Sequence, residues 1–141
     1  MTFNEKSRWI ALVANLAGWT WYFVTVGRAM AAGVPDTPFL MAMLVPVIVM
    51  IVIVHIVGHA TIAILKPKEA GAGMDERERA IAGRATRIAY SVLSAGLFVA
   101  IGVTLGRWSA FVAVNAVLLA FILAELVRYG VEIHAYRRGL A

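Results

Sequence analysis

The chain has no cysteine. That excludes disulfides, thiolate metal sites and cysteine nucleophiles, and leaves the redox compartment unread. Charge is scarce as well: 15% of the 141 residues are Asp, Glu, Lys or Arg and 62% are hydrophobic, where a soluble domain carries about 25% charged residues. The bilayer is the expected solvent. Catalytic signatures are also missing, with no Gly-rich phosphate loop, no serine-hydrolase elbow and no paired carboxylates inside an apolar run, so no enzyme is expected. Eight acidic residues stand against thirteen basic ones, a net charge of +5. The basic residues gather at the ends of apolar segments, which points to anionic lipid headgroups as partner and not to nucleic acid.

What is present is four long apolar runs, at about residues 9–27, 39–65, 88–106 and 110–127. Each approaches or exceeds the roughly 20 residues that a helix needs to cross about 30 Å of hydrocarbon. The expected fold is all-α and integral to the membrane, with four transmembrane helices in one domain over residues 1–141, the last helix able to continue to 138. Lys6 and Arg8 before the first run and Ala29-Met30-Ala31 after it resemble the flanks of a signal peptide. Its length and tryptophan content fit an uncleaved anchor better.

Orientation follows from the basic residues. Lys6, Arg8, Arg128, Arg137, Arg138 and the basic residues of the 66–87 linker would share one side, leaving only Arg28 and Arg107 on the other. By the positive-inside rule both termini and the linker are expected in the cytoplasm of an inner-membrane protein. The linker is the most charged stretch of the chain. Gly71-Ala-Gly73 reads as a hinge, and Asp75 is placed to cap a helix running from Asp75 to Arg107. Such a helix is about 50 Å long and extends beyond the bilayer.

An offset of 79 residues aligns Arg8 with Arg87, Thr25 to Arg28 with Thr104 to Arg107, and His55 with His134. Either the chain is a parallel tandem repeat of two helical hairpins, or any membrane hairpin places arginine at its interfaces. Small residues recur at four-residue intervals, as Ala14 and Gly18, Gly102 and Gly106, and Ala116, Ala120 and Ala124. Stripes of this kind let helices approach closely in lipid. Pro46 removes a backbone donor within the second run and is expected to bend it.

Polar groups within the hydrocarbon are expensive and invite a functional reading. Asn15, His55, His59, Tyr90, Ser91, Ser94, Glu125 and Arg128 fall toward the basic side on four different helices, and would form a polar vestibule if they converged. His55 and His59 are one turn apart and could hold a metal ion or haem, though further ligands, with Glu125 or His134 nearest by depth, would have to come from elsewhere. The plainer reading is hydrogen bonding to neighbours. Glu125 and Arg128 can pair across one turn, or the carboxylate could serve a small proton-coupled transporter. Trp19, Trp21, Tyr22 and Phe23 could cage a cation, but consecutive positions diverge around a helix. Trp21, Tyr22, Phe39 and Trp108 suit one membrane interface and Trp9, Tyr129 and Tyr136 the other.

The stretch Asp75-Glu-Arg-Glu-Arg-Ala-Ile-Ala-Gly-Arg-Ala-Thr-Arg-Ile-Ala-Tyr-Ser-Val-Leu93 resembles the motif of the DUF2178-like family of small four-helix prokaryotic membrane proteins. There an Asp-Glu-Arg element follows the second membrane helix and leads through a basic segment into the third. The resemblance implies a fold and no activity, substrate or cofactor. His55, His59 and the Trp-rich first run lie outside that motif. The reading that results is a non-catalytic binding or regulatory protein, a homo-oligomer, acting on a cytoplasmic partner or on headgroups through Asp75, Glu76, Arg77, Glu78, Arg79, Arg84 and Arg87. The alternatives are a small transporter or channel and, more weakly, metal or haem binding at His55 and His59.

Overall fold

A peptide group in hydrocarbon has no water to bond, so a chain this apolar satisfies its backbone within helices. The computed structural model describes residues 3–33, 37–65, 67 and 73–139, and contains helices α1 (Phe3–Ala31), α2 (Thr37–Leu65), α3 (Glu76–Leu105) and α4 (Ala110–Arg138), with no strand among the described residues. Gly71 and Ala72 of the expected hinge, and residues 34–36 between α1 and α2, lie outside the described residues; Gly73 is within them, at φ 68°. All four helices are long and apolar enough to cross a membrane. Three have 29 residues and one has 30, or about 44 Å each at about 1.5 Å per residue, longer than the apolar runs that announce them.

The helix ends follow from local chemistry. Asp75 caps α3 by accepting from the Glu78 backbone N–H at 2.7 Å, while the Glu78 carboxylate accepts from the Asp75 N–H at 3.4 Å. This reciprocal capping box satisfies two amides that the first turn leaves open. Ser109 caps α4, and Gly139 ends it in the left-handed conformation at φ 65°, which glycine adopts without a steric penalty. Glu76 and Glu78 in the first turn of α3, and Arg137 and Arg138 in the last turn of α4, complement the two helix dipoles.

Packing runs in the order α2, α1, α4, α3, with the largest shared face between α3 and α4. The two central helices take most of the burial in the middle of the chain's core, where Trp19, Tyr22 and Val26 of α1 meet Val47 of α2 and Ile122 of α4. A parallel repeat would match the α1–α4 face with an equivalent one between α3 and α2. No comparable face between α2 and α3 forms among the described residues.

Lipid tails are as apolar as the side chains, so these faces depend on close fit and not on exclusion of water. Small residues make the fit possible. A Cβ on Gly18 would lie 2.9 Å from Ile51, one on Gly58 would lie 2.7 Å from Ile10, and one on Gly96 would lie 2.5 Å from the Ala120 methyl. The stripe at Ala120 and Ala124 is thus the one that receives α3, both residues being buried. A Cβ on Gly102 would meet nothing within 4 Å, so Gly102 makes no close helix contact among the described residues.

Tyr22 departs from the interfacial place its composition suggests. Its ring is fully buried, edge-on to Trp19 and Phe23. Its hydroxyl donates to Asn115 Oδ1 at 3.1 Å, and Asn115 in turn donates to the Phe111 carbonyl at 2.9 Å. The hydrogen bond ties α1 to α4 and lets a phenol sit inside the core. Tyr22→Phe is expected to cost about 1 kcal/mol, the net value of one such bond. Reversible unfolding in mixed micelles, comparing midpoint shifts with those of the Tyr22→Ala variant, measures it.

Candidate functional site

Consecutive residues at a helix end project in different directions, so a single turn can touch several neighbours at once. The first turns of α1 do this. Asn4 Nδ2 donates to Glu78 Oε2 of α3 at 2.8 Å. Ser7 Oγ pairs with His59 Nε2 of α2. Arg8 forms an ion pair with Glu132 of α4. Glu5 lies 3.9 Å from Arg137 Nε of α4, and the same guanidinium sits over the Trp9 ring, 5.3 Å from its centre. Glu5, Ser7 and Glu132 are all buried, Glu132 with only 2% of its surface exposed. These contacts bring together the N-terminal ends of α1 and α3 and the C-terminal ends of α2 and α4. The result is one basic, interlocked end of the bundle.

The histidines belong to this end. His55 Nδ1 lies 2.8 Å from the Ile51 carbonyl and His59 Nδ1 lies 2.8 Å from the His55 carbonyl. A carbonyl only accepts, so each Nδ1 donates, and in the neutral ring each Nε2 is left as an acceptor. His59 Nε2 then accepts from the Ser7 hydroxyl. The rings stack with centres 6.1 Å apart. No group of three or more His, Asp or Glu placed to hold a metal ion occurs among the described residues, so neither Glu125 nor His134 joins the pair.

The other residues singled out from the sequence do not converge. Asn15 is buried but spent along its own helix, donating to the Ala11 carbonyl at 2.8 Å and accepting from Trp19 Nε1 at 3.1 Å. Tyr90 is 71% exposed, on the outward face of α3. Ser91 is exposed and donates to the Arg87 carbonyl at 3.2 Å, and Ser94 is half-buried. Glu125 and Arg128 form an ion pair at 2.6 Å, and the guanidinium also donates to the Tyr129 hydroxyl at 3.1 Å. It lies over the Tyr129 ring at 4.8 Å. The aromatic cage does not form either, because Trp19 and Tyr22 are core residues while Trp21 is 51% exposed.

Within the charged segment of α3 the residues divide by role. Asp75 and Glu78 are consumed by the cap and by Asn4. Ile81, Ala85 and Ala89 turn inward and are buried. Glu76, Arg77, Arg79, Arg84 and Arg87 are exposed, and their side chains make no hydrogen bond or ion pair among the described residues.

Asn4, Glu5, Ser7 and Glu132 are not among the residues the sequence singles out, because they lie beyond the ends of the apolar runs. A signal for Glu132 did exist: Ile122, Glu125, Tyr129, Glu132 and Tyr136 recur at helical spacing, and this stripe contains the buried Ile122, Tyr129 and Glu132.

Four apolar helices closed at one end by ion pairs define a small polytopic α-helical membrane protein. The family model described as "Predicted membrane protein (DUF2178)" matches residues 9–140. The chain belongs to that family. No curated protein and no solved structure is matched.

Proposed function

We propose that the chain is a non-catalytic binding or regulatory protein of the inner membrane, with both termini and the 66–87 segment in the cytoplasm, where the exposed charges of α3 engage a protein partner. The observation that carries this reading is the division of labour in the first turns of α3. Its inner face and its cap hold the helix against α1 and α4. Its outer face keeps Glu76, Arg77 and Arg79 exposed. A helix fixed in place and lined with unspent charge presents a recognition surface with little ordering cost. The distribution of Lys and Arg supports the cytoplasmic side. Ser7, whose hydroxyl pairs with His59, is 5% exposed, which supports reading that pair as a contact between α1 and α2.

A photo-crosslinking residue at Arg79 tests this in intact cells, with one at Phe98, 75% exposed in the apolar part of α3, as the comparison. The expected outcome is a discrete adduct with a second protein from position 79 alone, lost on charge reversal by Glu76→Arg with Arg77→Glu. Capture of only lipid or further copies of the chain from position 79 contradicts the proposal. Asp75 and Glu78 are unsuitable targets, because removing either opens the cap.

A further inference from the structure

The antiparallel register that sets Gly96 against Ala120 also brings Arg84 near the level of His134 and Ile88 near that of Gly130. A cleft of about 460 Å³ opens between α3 and α4 at this point, lined by Ile81, Arg84, Ile88, Gly130, Val131 and His134, with Ala135 in its floor. Its volume falls within the roughly 300–1,000 Å³ of small-molecule sites.

Two features give the cleft a direction. Ile81 and Ala135 are buried behind the cleft; on its exposed side Arg84 and His134, whose side chains make no hydrogen bond or ion pair among the described residues, stand toward the basic end. Ile88, Val131 and Gly130 lie one turn deeper, toward the apolar span. Polar above and apolar below, along the helix axes, is the profile of a lipid crossing from headgroup to acyl chain. Gly130 lines the opening, and a Cβ there would meet nothing within 4 Å, so a larger side chain at this position would occupy the open space.

We infer that this cleft is a binding site for one anionic glycerophospholipid, its phosphate held by Arg84 and His134 and the upper part of an acyl chain laid against Ile88 and Val131. Arg84 supplies the charge and His134 an imidazole hydrogen bond. Both groups are uncommitted within the bundle, unlike Arg8, Arg128 and Arg137, which are engaged with Glu132, Glu125 and Glu5. The site takes Arg84 from the exposed charges of α3 and leaves Glu76, Arg77 and Arg79, about two turns nearer the helix start, for a protein partner.

Native mass spectrometry of the purified full chain, released from detergent with phosphatidylglycerol, phosphatidylcholine or glycerol phosphate, tests the assignment. One retained phosphatidylglycerol is expected, with phosphatidylcholine held more weakly and glycerol phosphate unable to displace it. Arg84→Gln should weaken retention about fivefold, the effect of one basic group at an anionic surface. Gly130→Leu should abolish it by filling the cleft, while Gly102→Leu, at an equally open glycine elsewhere on α3, should leave it unchanged. Equal retention of the two lipids, displacement by glycerol phosphate, or full retention in Gly130→Leu overturns the inference. Thermal unfolding of Gly130→Leu matching the unsubstituted chain confirms that the loss comes from the cleft.

Discussion

Arg8→Leu is expected to lower the stability of the bundle by about 3–5 kcal/mol, because it leaves Glu132 as a buried carboxylate without its partner. The asymmetry of the pair drives the size of the effect. The Glu132 side chain is 2% exposed and that of Arg8 25% exposed, so the carboxylate cannot recover its hydration by a small movement, whereas the guanidinium can reach the surface. Glu132→Leu should therefore cost less than Arg8→Leu. The double variant should be the mildest, since replacing both members of a buried pair by apolar groups removes the charges together with the cost of burying them. A double-mutant cycle read by reversible unfolding checks all three. A positive coupling of at least about 1.5 kcal/mol, within the range for interacting neighbours, is the expected sign of a direct contact.

Gly96→Leu carries the second large effect. A single Cβ at position 96 already falls 2.5 Å from the Ala120 methyl and 3.1 Å from the Ala120 backbone. Backbone cannot rotate aside as a side chain can, so α3 and α4 must separate along their largest shared face. In lipid that loss is not offset by renewed burial from water, and the separated surfaces merely exchange helix contacts for acyl chains. Overpacking typically costs about 1–3 kcal/mol, and a collision with backbone belongs at the upper end. Ala120→Gly should restore part of the loss when combined with Gly96→Ala but little when combined with Gly96→Leu. Gly102→Leu, on the same helix with open space around it, should be neutral within about 0.5 kcal/mol. Cysteine crosslinking between α3 and α4 reports the separation directly.

These two sites differ in how far the sequence announces them. The four helices and the Asp75 cap are written locally, in run length and in the Asp-x-x-Glu spacing, and the structure carries both. The close approach at Gly96 is less visible. Gly102 and Gly106 make the better-looking stripe, yet Gly96 faces α4 and Gly102 faces open space. In a helix apolar on all sides, the pattern does not mark which face is inward. The expected polar cluster takes in Tyr90 and Ser91 for the same reason: the sequence shows depth along a helix but not direction around it. The pairing of Arg8 with Glu132 joins opposite ends of the chain, and no local spacing encodes it. In the local sequence Arg8 is only a basic residue flanking an apolar run.

The interlocked end is the feature on which the functional proposal depends. If the first turns of α1 hold α3 in place through Asn4 and Glu78, the charged helix is preformed before any partner arrives. Hydrogen exchange of the backbone amides of residues 81–87, in the full chain reconstituted in nanodiscs, tests this most directly. Protection comparable to that of residues 129–135 of α4 is expected, and its loss in Arg8→Leu. Exchange of residues 81–87 at the rate of an unstructured chain in the unsubstituted protein would contradict it.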